Sequence, residues 1–143
     1  MDLLLIQRDA LASSLVGSLV LAINAKAAGQ EVGVLFTQAA LAALARGSFD
    51  WPRELSGQEL RLLLADHAAR VGAPVCGGRG DGRQLDAKAL VARARDAGVV
   101  LYACPIWSAL LGLDGGLPQG LQPLDAAGLL ELIHAAKTVI GSL

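Results

Sequence analysis

The chain has 143 residues, enough for one domain with a substantial core, and its formal net charge is −1. Apolar residues make up 54% of it and aromatic residues 3%, so we expect a core of small aliphatic side chains. The near-neutral charge, without a basic stripe, argues against a nucleic-acid partner. We predict a single domain spanning residues 1–143.

The apolar composition raises the question of a membrane span. The longest apolar stretch, 10–23, is interrupted by serines and a glycine, and it is shorter than the roughly 20 residues that a spanning helix needs. The start of the chain carries Asp2 and lacks the positive charge of a signal peptide. We therefore predict a cytoplasmic protein that does not contact a membrane, with free thiols rather than a disulfide.

Short apolar runs alternate along the chain with longer helical patterns. The runs are too short for helices and suit buried parallel strands, and the segments between them suit helices. The predicted strands are 3–7, 31–36, 73–76, 99–103 and 137–140. The predicted helices are 10–28, 38–46, 57–71, 87–97, 105–111 and 126–136. Residues 77–83 and 112–123 are predicted to be loops.

Helix starts are predicted from residues that can cap free backbone N–H groups. Ser56 and Glu59 match a capping box at the start of the third helix, whose leucines, spaced three or four apart, predict a buried face that includes His67. The other predicted caps are Asp9, Thr37, Asp86 and Asp125.

Strands and helices in strict alternation predict an α/β fold. Right-handed crossovers would place helices on both faces of the sheet. We expect a three-layer α/β/α sandwich around a mostly parallel five-stranded sheet. In such a fold, ligands bind beyond the carboxyl ends of the strands.

Cys104 is the first candidate for chemistry at that edge. It follows the apolar run 99–103 and precedes a short helix, with Pro105 suited to the first helical position. Its sulfur would face the free N–H groups of the helix start, which favour the nucleophilic thiolate. The alternative is that Cys104 is a small buried apolar residue.

Cys76 is the second candidate. It follows the weaker strand 73–76 and opens the glycine-rich loop, where Arg79 and Arg83 would stabilise a thiolate or an anionic substrate. The alternative is a surface loop with solvated arginines. If consecutive strands are neighbours, Cys76 and Cys104 would end side by side and exchange a disulfide or a bound sulfur atom.

Two further residues follow Cys104 closely. Trp107 is predicted to form a pocket wall, and Ser108 is a candidate hydrogen-bond donor, although surface serines are common.

The glycine-rich loop lacks the lysine and immediate helix of a phosphate-binding loop. The two histidines are far in sequence from the cysteines, and there is no Cys-x-x-Cys, so we expect no metal site and no cofactor.

The segments 29–37 (GQEVGVLFT) and 98–113 (GVVLYACPIWSALLGL), in this order and spacing, resemble the DsrE/DsrF-like family of small sulfur-relay proteins. The resemblance implies a parallel five-stranded sheet and a cysteine that carries persulfide sulfur between donor and acceptor proteins. By that resemblance Cys104 would be the sulfur acceptor and Cys76 a second one, and the chain would assemble as a homo-oligomer, a trimer or hexamer. Some members lack the cysteine, so a non-catalytic assembly or ligand-binding subunit is the alternative.

Overall fold

The computed structural model describes residues 1–74 and 85–141 of the chain. Within these ranges, five strands form one sheet and six α-helices pack around it. The strands are β1 Leu3–Gln7, β2 Val32–Phe36, β3 Val100–Ala103, β4 Gln122–Pro123 and β5 Thr138–Gly141. The helices are α1 Ala12–Ala27, α2 Gln38–Arg46, α3 Gln58–His67, α4 Ala87–Asp96, α5 Pro105–Leu110 and α6 Ala126–Ala135.

The sheet has the order β4-β3-β2-β1-β5, and each neighbouring pair is parallel. Leu5 of the central region of β1 pairs with Val34 of β2 on one side and with Ile140 of β5 on the other. The predicted three-layer α/β/α fold with a parallel five-stranded sheet is confirmed. Since all strands point the same way, their carboxyl ends meet at one edge.

One face of the sheet holds the main core. Alternate strand residues such as Leu5 and Phe36 pack there against Leu15 and Leu19 of α1 and against α4. These four side chains are at most 1% exposed, and fully burying a side chain of this size contributes about 1.5–3 kcal/mol. The apolar stretch 10–23 is thus mostly explained by core packing, and no helix in the described ranges is long and apolar enough to cross a membrane.

The other face of the sheet is covered more thinly. Leu4, Leu35 and Cys104 form its buried cluster, and α5 and α6 supply partly buried side chains around it. No residue of α6 is fully buried. Large apolar side chains on these elements and on β5 are exposed instead: Ile106, Leu110, Leu111, Leu130 and Val139.

The predicted third strand, 73–76, is described only at its first two residues. Ala73 and Pro74 are not in a strand, and the rest of the segment lies outside the described residues. The fifth strand is instead β4, inside the predicted loop 112–123, where Gln122 pairs with Tyr102. Two exposed residues, one of them a proline, carry no strand pattern, so only pairing to β3 defines β4.

The prediction for α3 is wrong in two respects. Its N-cap is Gly57 without a side-chain bond, and Ser56 instead donates its hydroxyl to the Arg53 carbonyl oxygen at 2.9 Å. Its leucine face is not core, since Leu63 is 49% exposed and His67 is exposed. The cap at Asp86 is confirmed, since its carboxylate accepts the Ala89 N–H, and so is the cap at Asp125.

An exposed ion pair links the starts of β1 and β5. Asp2 accepts the Glu31 N–H at 2.8 Å and pairs with the Lys137 ammonium at 2.7 Å. The Glu31 N–H and the Lys137 ammonium lower the pKa of Asp2, and Asp2 in turn raises the pKa of Lys137. The contribution of Asp2 to stability is present above the ordinary carboxyl pKa and is lost as the pH falls through the folded value. That of Lys137 is present below the ordinary lysine pKa and is lost as the pH rises through its higher folded value.

We therefore expect Asp2→Asn to flatten both limbs of the pH dependence of unfolding, by a small amount because the pair is exposed. Urea midpoints measured from acid to alkaline pH check this. Asp114→Asn, which changes an exposed carboxylate with no bond among the described residues, is the matched control. Equal curves for both variants would contradict the role of the pair.

Candidate functional site

Three strand ends meet at the carboxyl edge of the sheet. The Thr37 N–H after β2 donates to the Gln7 carbonyl oxygen at 3.0 Å, and the Cys104 N–H after β3 donates to the Phe36 carbonyl oxygen at 3.0 Å. These bonds extend the ladder one residue beyond each strand. The residues that follow β1, β2 and β3 therefore lie side by side, and Cys104 lies at the end of the row.

Cys104 is the N-cap of α5, as the sequence predicts. Its φ of −63° and ψ of 124° are extended, Pro105 occupies the start of the helix, and the Cys104 carbonyl oxygen accepts the Ser108 N–H at 2.8 Å. No side chain caps this helix start, so the thiol does not compete there with another capping group. The thiol is free and 5% exposed, within the apolar cluster of Leu4 and Leu35.

Ser108 and Trp107 lie beside Cys104 through the first turns of α5. Ser108 is one helical turn from Cys104 and on the same side of the helix. It is 6% exposed, and its hydroxyl has no hydrogen-bond partner among the described residues. A buried hydroxyl without a partner is costly, so this group is available to a bound molecule. Trp107 is half-buried and packs against the cluster of Cys104, and its role as a pocket wall stays a prediction.

The remaining predicted site residues are not described. Cys76, Arg79 and Arg83 lie outside the described ranges. In the described sheet the neighbours of β3, the strand that ends before Cys104, are β2 and β4, and the expectation that Cys76 ends beside Cys104 stays a prediction. Within those ranges no group of three or more metal-ligating side chains comes together.

A buried polar pair at the end of β1 was not predicted. The Ser18 hydroxyl donates to the Gln7 amide oxygen at 2.7 Å, and the Gln7 amide nitrogen donates to the Asp9 carbonyl oxygen at 3.1 Å. Gln7 is 0% and Ser18 2% exposed, so the pair fixes α1 against the edge of the sheet. Asp9 also accepts the Leu11 N–H just before α1, rather than capping the helix itself. The sequence feature that could have predicted this pair is the polar Gln7 at the end of the apolar strand β1.

Ser18→Ala is expected to destabilise the protein by about 1–3 kcal/mol, because the buried Gln7 amide oxygen loses its partner. Ser13→Ala, on the same helix at a half-buried serine with no bond among the described residues, is the control. Urea unfolding of both variants provides the measurement. A loss in Ser18→Ala no larger than in Ser13→Ala would show that the hydrogen bond does not matter.

At the start of α2, Gln38 has a φ of +53°, which is unusual for a residue with a side chain. A hydrogen bond next to Gln38 stabilises this conformation: the Ala40 N–H donates to the Arg8 carbonyl oxygen at 3.0 Å. The conformation tightens the turn that follows β2 and keeps it beside the end of β1. No sequence pattern predicts it.

The chain has the three-layer fold and the parallel five-stranded sheet that the resemblance to the DsrE/DsrF-like family implies. Among solved structures, the chain is similar to the YchN protein from E. coli, with a TM-score of 0.61 over 99% of both chains and 16% sequence identity. No family model matches the sequence, and no curated protein does. At 16% identity the likeness establishes the fold alone, so the chemistry has to be argued from the residues of the site.

Proposed function

We propose that this protein carries sulfane sulfur as a persulfide on Cys104. The observation that carries this is the placement of a free cysteine beyond the end of β3, as the N-cap of α5, one turn from a buried hydroxyl without a described partner. The DsrE-like fold and the resemblance of segments 29–37 and 98–113 to the sulfur-relay family support the same function.

The proposed transfer needs no oxidant and no cofactor. The Cys104 thiolate attacks the outer sulfur of a donor persulfide, a new sulfur–sulfur bond forms, and the donor leaves as a thiolate. An acceptor thiolate then attacks the outer sulfur on Cys104, which leaves as a thiolate again. Each step exchanges one sulfur–sulfur bond for another, so no net oxidation takes place.

The neighbours of Cys104 have roles in this scheme. The Ser108 hydroxyl donates a hydrogen bond to the bound sulfur, and Trp107 shields the persulfide from water and from stray thiols. Cys76, with Arg79 and Arg83 as anion-binding groups, remains the second proposed acceptor. We place the carrier in the cytoplasm, where thiols stay reduced.

We also propose that the chain forms a homo-oligomer. Large apolar side chains are exposed on the α5, α6 and β5 side, with Leu110 at 69% and Ile106 at 59%. Soluble monomers rarely expose many such side chains on one side. A second copy covering this side would complete the thin layer over the sheet and form a wall near Cys104.

A non-catalytic assembly or ligand-binding subunit is the second candidate. The 5% exposure of Cys104 favours it, since reactive cysteines are usually more accessible. The rate of alkylation of Cys104 by a small reagent at neutral pH separates the two. A carrier requires alkylation within minutes, whereas a thiol that reacts only on unfolding supports the subunit.

The proposed function is tested by a two-stage transfer. The reduced protein is incubated with a small persulfide donor, the donor is removed, and a thiol acceptor is added. A carrier delivers up to one sulfur atom per chain to the acceptor and then accepts another. Delivery no faster than from donor-treated bovine serum albumin would refute sulfur transfer by this protein.

A further inference from the structure

A cavity lies away from Cys104, on the side of the main core. This cleft, of about 520 Å³, runs along α4 between the end of α2 and the segment 113–121 that leads into β4. Its volume lies within the range of small-ligand sites. The described residues of the candidate site, Cys104, Trp107 and Ser108, do not line this cleft.

The floor of the cleft is apolar. Val91, Leu101 and Leu121 are buried core residues that reach it, and Phe49 and Leu117 line it as partly buried neighbours of the same core. An occupant that covers these side chains removes apolar surface from water, which favours binding by about 25 cal/mol per Å². The floor therefore suits an apolar body.

The rim of the cleft is cationic. Arg46, Lys88 and Arg95 line it, and no Asp or Glu is among its described lining residues. Lys88 and Arg95 are seven residues apart on α4, about 10 Å along the helix axis. Of these three rim cations, only Arg95 has an ion-pair partner in the described ranges, the exposed Asp96 at 3.4 Å.

An apolar floor with a cationic rim favours a ligand that is both apolar and negatively charged. A neutral apolar molecule would leave the rim cations without a partner, and a compact anion would leave the apolar floor exposed to water. We propose that this cleft binds a small amphipathic anion, an apolar chain or ring that carries a carboxylate or sulfonate.

Calorimetric titration with decanoate, with decanol as the uncharged probe of equal chain length, tests the site on the full chain. We expect saturable binding of one decanoate per chain, at least tenfold tighter than decanol and weakened by salt. The double variant Arg46→Gln/Lys88→Gln should bind decanoate about tenfold more weakly, because each exposed rim cation contributes up to about fivefold.

Arg93→Gln is the matched control, because it removes a cation from the same helix outside the cleft. It should bind decanoate within twofold of the parent. Ala92→Phe, which fills the apolar middle of the cleft from the helix surface, should abolish binding while leaving the circular dichroism unchanged. Equal affinity for decanol, unchanged binding in the double variant or no saturable binding would overturn the site. Sulfur transfer does not enter these measurements, so the proposed carrier function is tested independently.

Discussion

Replacing Cys104 by serine is expected to lower the rate of sulfur delivery to a thiol acceptor about a hundredfold or more. A serine hydroxyl is not ionised at neutral pH and does not attack a sulfane sulfur, so the first step of the proposed transfer is lost. The substitution suits the fold, because serine is a favourable N-cap and Cys104 is the N-cap of α5. Stopped-flow or quenched single-turnover transfer measures the rate.

Cys76→Ser is the matched control, since it removes the other cysteine of the chain and leaves Cys104 in place. It should retain sulfur transfer through Cys104, with a lower rate only to the extent that Cys76 acts as the second acceptor. The reverse pattern, with Cys76→Ser inactive and Cys104→Ser active, would move the site to the glycine-rich loop and contradict the role given to Cys104.

Leu19→Ala is expected to destabilise the protein by about 2–5 kcal/mol. Leu19 is 0% exposed and packs in the main core between α1 and the sheet, so the shorter side chain leaves a cavity. A loss of this size is a large share of the stability of a typical domain, about 5–15 kcal/mol. Equilibrium unfolding in urea, with both baselines recorded, gives the difference.

Leu21→Ala provides the comparison on the same helix, because Leu21 is 38% exposed and the change in helix propensity is identical. Its cost should be about 1 kcal/mol or less. Similar losses at the two positions would mean that α1 does not pack against the sheet by the face that holds Leu19, and the explanation of stretch 10–23 as a core helix would fail.

The sequence predicts the architecture well where a local pattern and the tertiary structure agree. The apolar runs that become β1 and β2 are almost entirely buried, so their composition carries the signal. The caps at Asp86 and Asp125 depend on bonds to residues three positions away, and both form. The transition from β3 to α5 at Cys104 is also predicted by a local pattern, because Pro105 directly follows the strand and cysteine and suits the first position of a helix.

The sequence-based predictions are wrong where residues distant in the chain determine the local structure. The strand β4 exists because Gln122 and Pro123 pair with the end of β3, and nothing in those two residues indicates a strand. The leucine spacing of α3 predicts burial, but Leu63 is 49% exposed. Periodicity reports that a helix has an apolar side and does not say what covers it.

The site was only partly within reach of sequence reasoning. Cys104, Trp107 and Ser108 are near one another in the chain, so their grouping follows from the short helix that carries them. The buried bond between Gln7 and Ser18 joins residues of two elements and depends on how α1 crosses β1. The lack of a described partner for the Ser108 hydroxyl is likewise a property of packing.

The most direct test of the central claim is peptide mapping by mass spectrometry after the reduced protein has been treated with a small persulfide donor. The account predicts the added mass of one sulfur atom on the peptide that contains Cys104, reversed by a reductant. An unmodified Cys104 peptide, with the added sulfur on Cys76 or on neither cysteine, would contradict it.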